Sequence, residues 1–236
     1  DTLADTGSVL ELRPAFGVGI ITALVRIEGR AFGCIANNPR HLGGAIDAPA
    51  ADKAARFMQL CNAFSLPIVS LCDTPGFMVG PEAEKTATVR HVSRMFVTAG
   101  NLRVPFFTVV LRKGYGLGAQ AMAAGSFHAP FFTAAWPSGE FGAMGVEGAI
   151  RLGFRKELEA VEDPDAREAL FRKMVDEAYE KGRALNMASY LEIDAVIDPA
   201  DTRRWLLRGL RSAPPSFSIS PRHTRDPAAR RFIDTW

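Results

Sequence analysis

The chain has 236 residues, with 28 Lys+Arg against 26 Asp+Glu and a formal charge of +2, enough for one large domain or two small ones with a sizeable buried core. A hydrophobic share of 47% and a charged share of 23% exclude wholesale disorder, and apolar runs such as Val104 to Leu111 fall well short of the roughly 20 residues that a membrane span needs. The charge excess is local: from Pro214 to Trp236, Arg222, Arg225, Arg230 and Arg231 face only Asp226 and Asp234, so the body is neutral and does not suit a nucleic-acid surface, whose affinity comes from Lys and Arg neutralising phosphates.

The chain opens at Asp1 without an initiator Met and reads as a piece of something longer. Ile21–Ile27 and Ala31–Ala36 flank Glu28-Gly29-Arg30, the pattern of a tight hairpin. A loop at Asn37-Asn38-Pro39 and Gly43-Gly44 precedes an Ala-rich helix over Ala50–Phe64. Pro67–Cys72 is a short buried strand, and Asp73-Thr74-Pro75-Gly76 is turn chemistry. Val92, Met95, Phe96 and Ala99 mark a helix that ends at Gly100-Asn101. Val104–Leu111 is the strongest strand, followed by Gly114-Tyr115-Gly116-Leu117-Gly118 and a small-residue helix. Ala129–Trp136 is a further strand, and Leu170, Phe171, Met174, Val175 and Ala178 mark an amphipathic helix from about Asp163 to Gly182. Ala195–Ile197 and a helix over Asp201–Arg211 complete a body spanning residues 1–212, with residues 213–236 a Pro/Arg-rich tail. Strands separated by helices predict an α/β fold with largely parallel pairing, and its site belongs in loops beyond the carboxyl ends of the strands.

The chemistry-bearing residues are few. Cys34, Cys61 and Cys72 sit in apolar runs without C-x-x-C spacing and read as reduced packing residues of a cytoplasmic protein. No G-x-S-x-G elbow occurs, His41, His91, His128 and His223 lie in unrelated contexts, and Ser126 is near His128 only in sequence. No metal-ligand spacing is present. Gly114-x-Gly116-x-x-Ala119 follows a strand and opens a helix, with Glu140 further on; this is a weak match to a dinucleotide fingerprint. The same geometry also suits an oxyanion hole, in which N–H groups at a helix start, and at the neighbouring loop Pro75-Gly76-Phe77, stabilise a developing enolate.

The series Asn37-Asn38-Pro39, Gly43-Gly44-Ala45-Ile46, Asp52-Lys53-Ala54-Ala55-Arg56-Phe57, Asp73-Thr74-Pro75-Gly76-Phe77, Arg112-Lys113-Gly114-Tyr115-Gly116 and Ala135-Trp136-Pro137-Ser138-Gly139-Glu140, with Met144–Ala149, resembles the carboxyltransferase component of biotin-dependent acyl-CoA carboxylases over about residues 18–212. The resemblance implies a crotonase-like fold of stacked β-β-α units with a C-terminal helical segment. It also implies the C-terminal, biotin-side half of an enzyme that transfers a carboxyl group from carboxybiotin to the α-carbon of an acyl-CoA. In that family carboxybiotin releases CO2, and the biotin enolate removes the α-proton, so no side-chain base is needed.

By the same resemblance Gly76, Phe77, Leu117 and Gly118 supply main-chain N–H donors, and Tyr115, Gly116 and Gln120 contact the cofactor. Biotin and acyl-CoA are the implied cofactor and co-substrate, with no metal. The implied partners are a biotin carboxyl carrier domain, biotin carboxylase, the acyl-CoA-binding N-terminal half and further copies of the chain. Two departures stand out: Leu117-Gly118 occupies the place where Gly-Ala is common, and Gln120 the place of a residue that influences acyl-chain choice and is often an acid. A decarboxylase subunit, a hydratase or isomerase that would use Glu140 as one of two acids, and a non-catalytic scaffold stand as alternatives.

Overall fold

The computed structural model describes residues 2–214 and Ile233; Phe217, Ile219, Phe232 and Trp236 of the tail lie outside the described residues. Strand β1 (Leu10–Glu11) leads into a hairpin of β2 (Ile20–Ile27) and β3 (Arg30–Asn37). Glu28 and Gly29 between them have φ of 48° and 74°, the left-handed pair that lets a two-residue turn match the twist of its strands. Asp5 anchors this turn: its carboxylate accepts from the N–H of Glu28 at 3.0 Å and of Gly29 at 2.8 Å, and from Arg203 at 2.7 Å. Amino terminus, hairpin and final helix are thereby tied together.

Helix α1 (Ala48–Ala63) starts at Asp47, whose side chain accepts from the Ala50 N–H at 3.0 Å, with Pro49 in the first turn. Its alanines let it lie close on the sheet, and Ala50, Ala51 and Ala54 are fully buried. Then come β4 (Ile68–Thr74), α2 (Pro81–Lys85), α3 (Thr88–Ala99), β5 (Phe106–Tyr115), α4 (Gly116–Met122), β6 (Phe132–Ala135) and β7 (Glu140–Gly142). Helices α5 (Val146–Gly153), α6 (Arg155–Glu159), α7 (Pro164–Lys181) and α8 (Ala184–Ser189) precede β8 (Ala195–Val196) and α9 (Thr202–Ser212).

The sheet runs β1-β2-β3-β4-β5-β6-β8, with β7 added to the end of β5. It is antiparallel through β3 and parallel from there on. One face packs on α1, α3 and α4 through Ile35, Met58, Met95 and Met122; the other packs Phe107 and Phe132 against Leu206 and Leu207 of α9. A third apolar cluster joins Tyr115 to Val146, Ile150 and Val175, where the C-terminal helices fold over the end of β5. This is the expected β-β-α architecture with its helical C-terminal segment. Among the described residues the strand order follows the chain without reversing, and the glycine loop follows β5 rather than the first strand, so the described strands form no switch-point crevice of the kind a dinucleotide uses.

Most boundaries shift by one or two residues, and two elements depart further from the expected bounds. Strand β5 continues past Leu111 to Tyr115 because β7 gives Lys113–Tyr115 a second partner. Strand β6 starts at Phe132 rather than Ala129, because the preceding segment is turned, with Ala124 and Gly125 at φ of 53° and 105° and the Ala129 N–H bonded to the Ser126 carbonyl at 3.0 Å. Cys61 and Cys72 are buried, and burial pushes all three thiols up, Cys34 to about 12.

A Cβ at Gly33 would lie 2.2 Å from Cys61 Sγ, so β3 and α1 meet at a point with no space for a side chain. Gly33→Ala is expected to cost about 1–3 kcal/mol in urea unfolding, as overpacking does. Cys61→Ala in the same chain should restore part of that loss.

Candidate active site

Strands β4 and β5 are parallel neighbours, so the loops at their carboxyl ends emerge side by side. The first turns at Gly76, with φ of 128°. The second turns at Gly116, with φ of 59°, where a Cβ would lie 2.8 Å from the Ala143 carbonyl oxygen. At Gly118 the two loops touch: a Cβ there would lie 2.6 Å from the Gly76 carbonyl carbon and 2.9 Å from the Phe77 nitrogen. Both distances fall inside van der Waals contact, so only a glycine permits this approach.

The direction of the amides follows from local pairing. The Ile46 N–H donates to the Gly76 carbonyl at 3.0 Å and the Met78 N–H to the Ile46 carbonyl at 2.8 Å. Successive amides of an extended segment point to opposite sides, so the Phe77 N–H faces away from Ile46, and it has no acceptor among the described residues. The N–H groups of Leu117 and Gly118 stand in the first turn of α4, before any intrahelical acceptor, and no side chain caps that turn. Three donors thus gather where the loops touch, on a seam that can hold an oxygen carrying negative charge.

The expected site residues divide accordingly. Gly118 is brought against Gly76 and Phe77, and Leu117 precedes it in the first turn of α4. Gly76 is not a free donor, because its N–H bonds to Thr74 Oγ1 at 3.1 Å; its part is the turn and the contact with Gly118. Tyr115 does not present its side chain to a ligand. It is 4% exposed, packs against Val146 and Ile150, and its hydroxyl donates to Glu140 Oε2 at 3.1 Å. Gly116 and Gln120 line a cleft of about 540 Å³ with Phe127, Phe141, Met187 and Lys181.

Side chains that would support other chemistry are engaged elsewhere. Glu140 holds the Tyr115 hydroxyl, and its counterpart in a two-acid hydratase is Gln120. His91 Nδ1 meets Asp52 at 2.7 Å and His41 Nε2 meets Asp47 at 3.3 Å. His128 Nε2 donates to the Leu191 carbonyl at 3.0 Å, while the Ser126 hydroxyl accepts only from the backbone N–H of His128. Among the described residues no Ser–His pair forms. His223 lies outside the described residues. Sequence reasoning gave no role to Asp73 and Arg112, which form a two-point ion pair at 3.2 and 3.1 Å below the loops. An acid before one turn and a base before the other was the available signal, but their pairing depends on β4 lying beside β5.

Residues 1–215 match the carboxyl transferase domain family. The methylmalonyl-CoA carboxyltransferase 12S subunit of Propionibacterium freudenreichii subsp. shermanii is 39% identical over 212 residues, covering 88% of this chain and 39% of that protein. Among solved structures, a single-chain, multi-domain long-chain acyl-CoA carboxylase superposes with a TM-score of 0.79 at 59% identity, over 87% of this chain and 20% of that one. The transcarboxylase 12S hexamer with methylmalonyl-CoA bound superposes with a TM-score of 0.82 at 37% identity, over 89% of this chain and 40% of that one. The chain spans about two fifths of the length of its curated relative, and the structural neighbours are carboxyltransferases of the crotonase-like fold.

Two outcomes are expected from this geometry. Gly118→Ala should cost about 1–3 kcal/mol in urea unfolding, whereas Gly145→Ala, where a Cβ would meet nothing within 4 Å, should cost far less. Burial, reinforced by the Glu140 carboxylate, holds the Tyr115 hydroxyl above its ordinary value of about 10. The folded chain therefore keeps this proton where the unfolded chain loses it. The contribution is full below about pH 10 and is lost as pH rises through the folded value, so unfolding measured above pH 10 should show a shallower decline for Tyr115→Phe.

Proposed function

The chain belongs to the carboxyl transferase domain family, and on that premise we propose that it is the biotin-side half of an acyl-CoA carboxyltransferase, passing a carboxyl group from carboxybiotin to the α-carbon of an acyl-CoA. The observation that carries this reading is the contact of Gly118 with Gly76 and Phe77, which brings main-chain donors from two loops to one point. The site fits the ureido oxygen of biotin, an acceptor without side-chain demands. Phe77, Leu117 and Gly118 are the residues that would hold it. Biotin, when bound on its carrier, brings the carboxyl group and the base.

The chain's own share is electrostatic. Backbone donors held by strand ends and a helix start need no reorganisation as charge develops on the oxygen, and loss of one such donor typically costs about 10²–10³ in rate. Among the described residues no paired acid and base stands at the seam, in keeping with a reaction whose base arrives with the cofactor. Catalysis is assigned to residues 1–212, with residues 213–236 an appended tail. The acyl-CoA would come from a separate half, with Gln120 in its cleft bearing on acyl-chain choice. The implied partners are that half, a carrier domain and biotin carboxylase, in a cytoplasmic oligomer of the kind its 12S relative forms. Among the described residues no helix is long and apolar enough to cross a membrane.

Carboxyl transfer is measured from a carboxylated biotin carrier to acetyl-, propionyl- and long-chain acyl-CoA. The chain alone is expected to be inactive and to gain transfer when the acyl-CoA-binding half is supplied. His128→Ala, whose ring is exposed and bonded to a carbonyl, should leave the rate nearly unchanged, and Gly118→Val should abolish it. Loss of transfer in His128→Ala with retention in Gly118→Val would replace this reading with a side-chain mechanism.

A further inference from the structure

The register between β4 and β5 breaks at one place: Cys72 pairs with Val110, but Thr74 pairs with Gly114, so Asp73 alone faces Leu111, Arg112 and Lys113. Extra residues on one strand bend it and interrupt its ladder, and here the interruption falls just before both glycine loops. Asp73 spans it. Its Oδ1 accepts from the Lys113 N–H at 3.2 Å and from Arg112 Nε at 3.2 Å, and its Oδ2 accepts from Arg112 Nη2 at 3.1 Å. Its own N–H donates to Asn37 Oδ1 at the end of β3, at 2.9 Å. Its carbonyl oxygen stands 2.5 Å from where Gly44 would carry a Cβ. Three strand ends and one loop are thus referred to a residue only 9% exposed.

Both arms of the donor set leave from this point. Thr74 follows Asp73 directly, and its hydroxyl takes the Gly76 N–H; on the other side, Lys113 is followed by the end of β5 and the start of α4. We propose that Asp73, oriented by the two-point contact with Arg112, is a positioning residue that sets the separation between the Phe77 N–H on one loop and those of Leu117 and Gly118 on the other. The role rests on the carboxyl-transfer reading above. Arg112 acts through Asp73: its planar fork fixes both carboxylate oxygens, which a lysine cannot do.

The test uses the full-length carboxyltransferase with its partners, comparing the parent with Asp73→Asn, Arg112→Gln, Arg112→Lys and the double variant Asp73→Asn/Arg112→Gln. Arg203→Gln, which breaks an ion pair with Asp5 at the far end of the sheet, is the control. Each single change at the pair is expected to lower kcat by about 10- to 100-fold, the scale of a small misplacement of catalytic groups, with KM for acyl-CoA and carrier nearly unchanged. Arg112→Lys should lie between parent and Arg112→Gln. The double variant should be no slower than the slower single, because the two act as a unit. Hydrogen exchange provides a readout independent of activity: amides of Phe77, Leu117 and Gly118 should exchange faster in Asp73→Asn, while those of α1 stay as in the parent. Unchanged exchange at these amides overturns the role of Asp73, as does faster exchange with an unchanged kcat, or additive losses in the double variant. A parent enzyme that transfers no carboxyl group overturns the functional reading, and the catalytic part of this role with it.

Discussion

The backbone of Gly118 rests on the backbone of Gly76 and Phe77, and the rest of the site is arranged around that contact. It requires β4 and β5 to be parallel neighbours, so that two loops leave the sheet at the same end. It also places the start of a helix immediately after β5, where the first N–H groups have no intrahelical acceptor. It also requires that no side chain intervene. A cavity between two loops could be filled by many residue types, but contact between two main chains admits only one.

From this contact follows the pattern of what is fixed and what is free along the glycine loop. Leu117 is 62% exposed, so a large residue is tolerated where the family commonly has glycine. At the next position the family commonly has alanine, yet this chain has a glycine whose Cβ position is already occupied by Gly76. The two departures from the family pattern are therefore different in kind. One lies on the exposed side of the loop; the other lies at the contact of Gly118 with Gly76 and Phe77.

The site also explains why the ionisable groups around it look occupied. Tyr115 and Glu140 are spent on each other, and the Tyr115 ring locks the end of β5 under α5 and α7. Asp73 and Arg112 join strand ends. His91 and His41 are held by aspartates on or just before α1. Such groups define where the backbone runs, and in the proposed reading the backbone carries the electrostatics. Charge stabilisation by fixed dipoles depends on placement within fractions of an ångström, which suits main-chain groups clamped by a sheet better than long side chains.

Much of this was legible in the order of residues, and for a local reason. Hydrophobic periodicity and turn chemistry are short-range properties, so the hairpin around Glu28-Gly29, an Ala-rich helix over Ala50–Phe64, a strand over Val104–Leu111 and a long helix from about Asp163 could be placed from the chain alone, to within a few residues at their ends. The glycine loops could likewise be recognised, along with the resemblance that gave them a role. What the order of residues could not decide was orientation. That Gly76 gives its N–H to Thr74, that Tyr115 turns inward, that Glu140 faces Tyr115 and that Asp73 reaches Arg112 all depend on which strands lie side by side and how far their register is shifted. The short strand β7, which extends β5, has too few residues to show a period. Local pattern determined which segments form and which residues stand at their ends; only tertiary packing decided which way each amide and side chain points, because hydrogen-bond direction is set by the neighbour across the sheet and not by the neighbour along the chain.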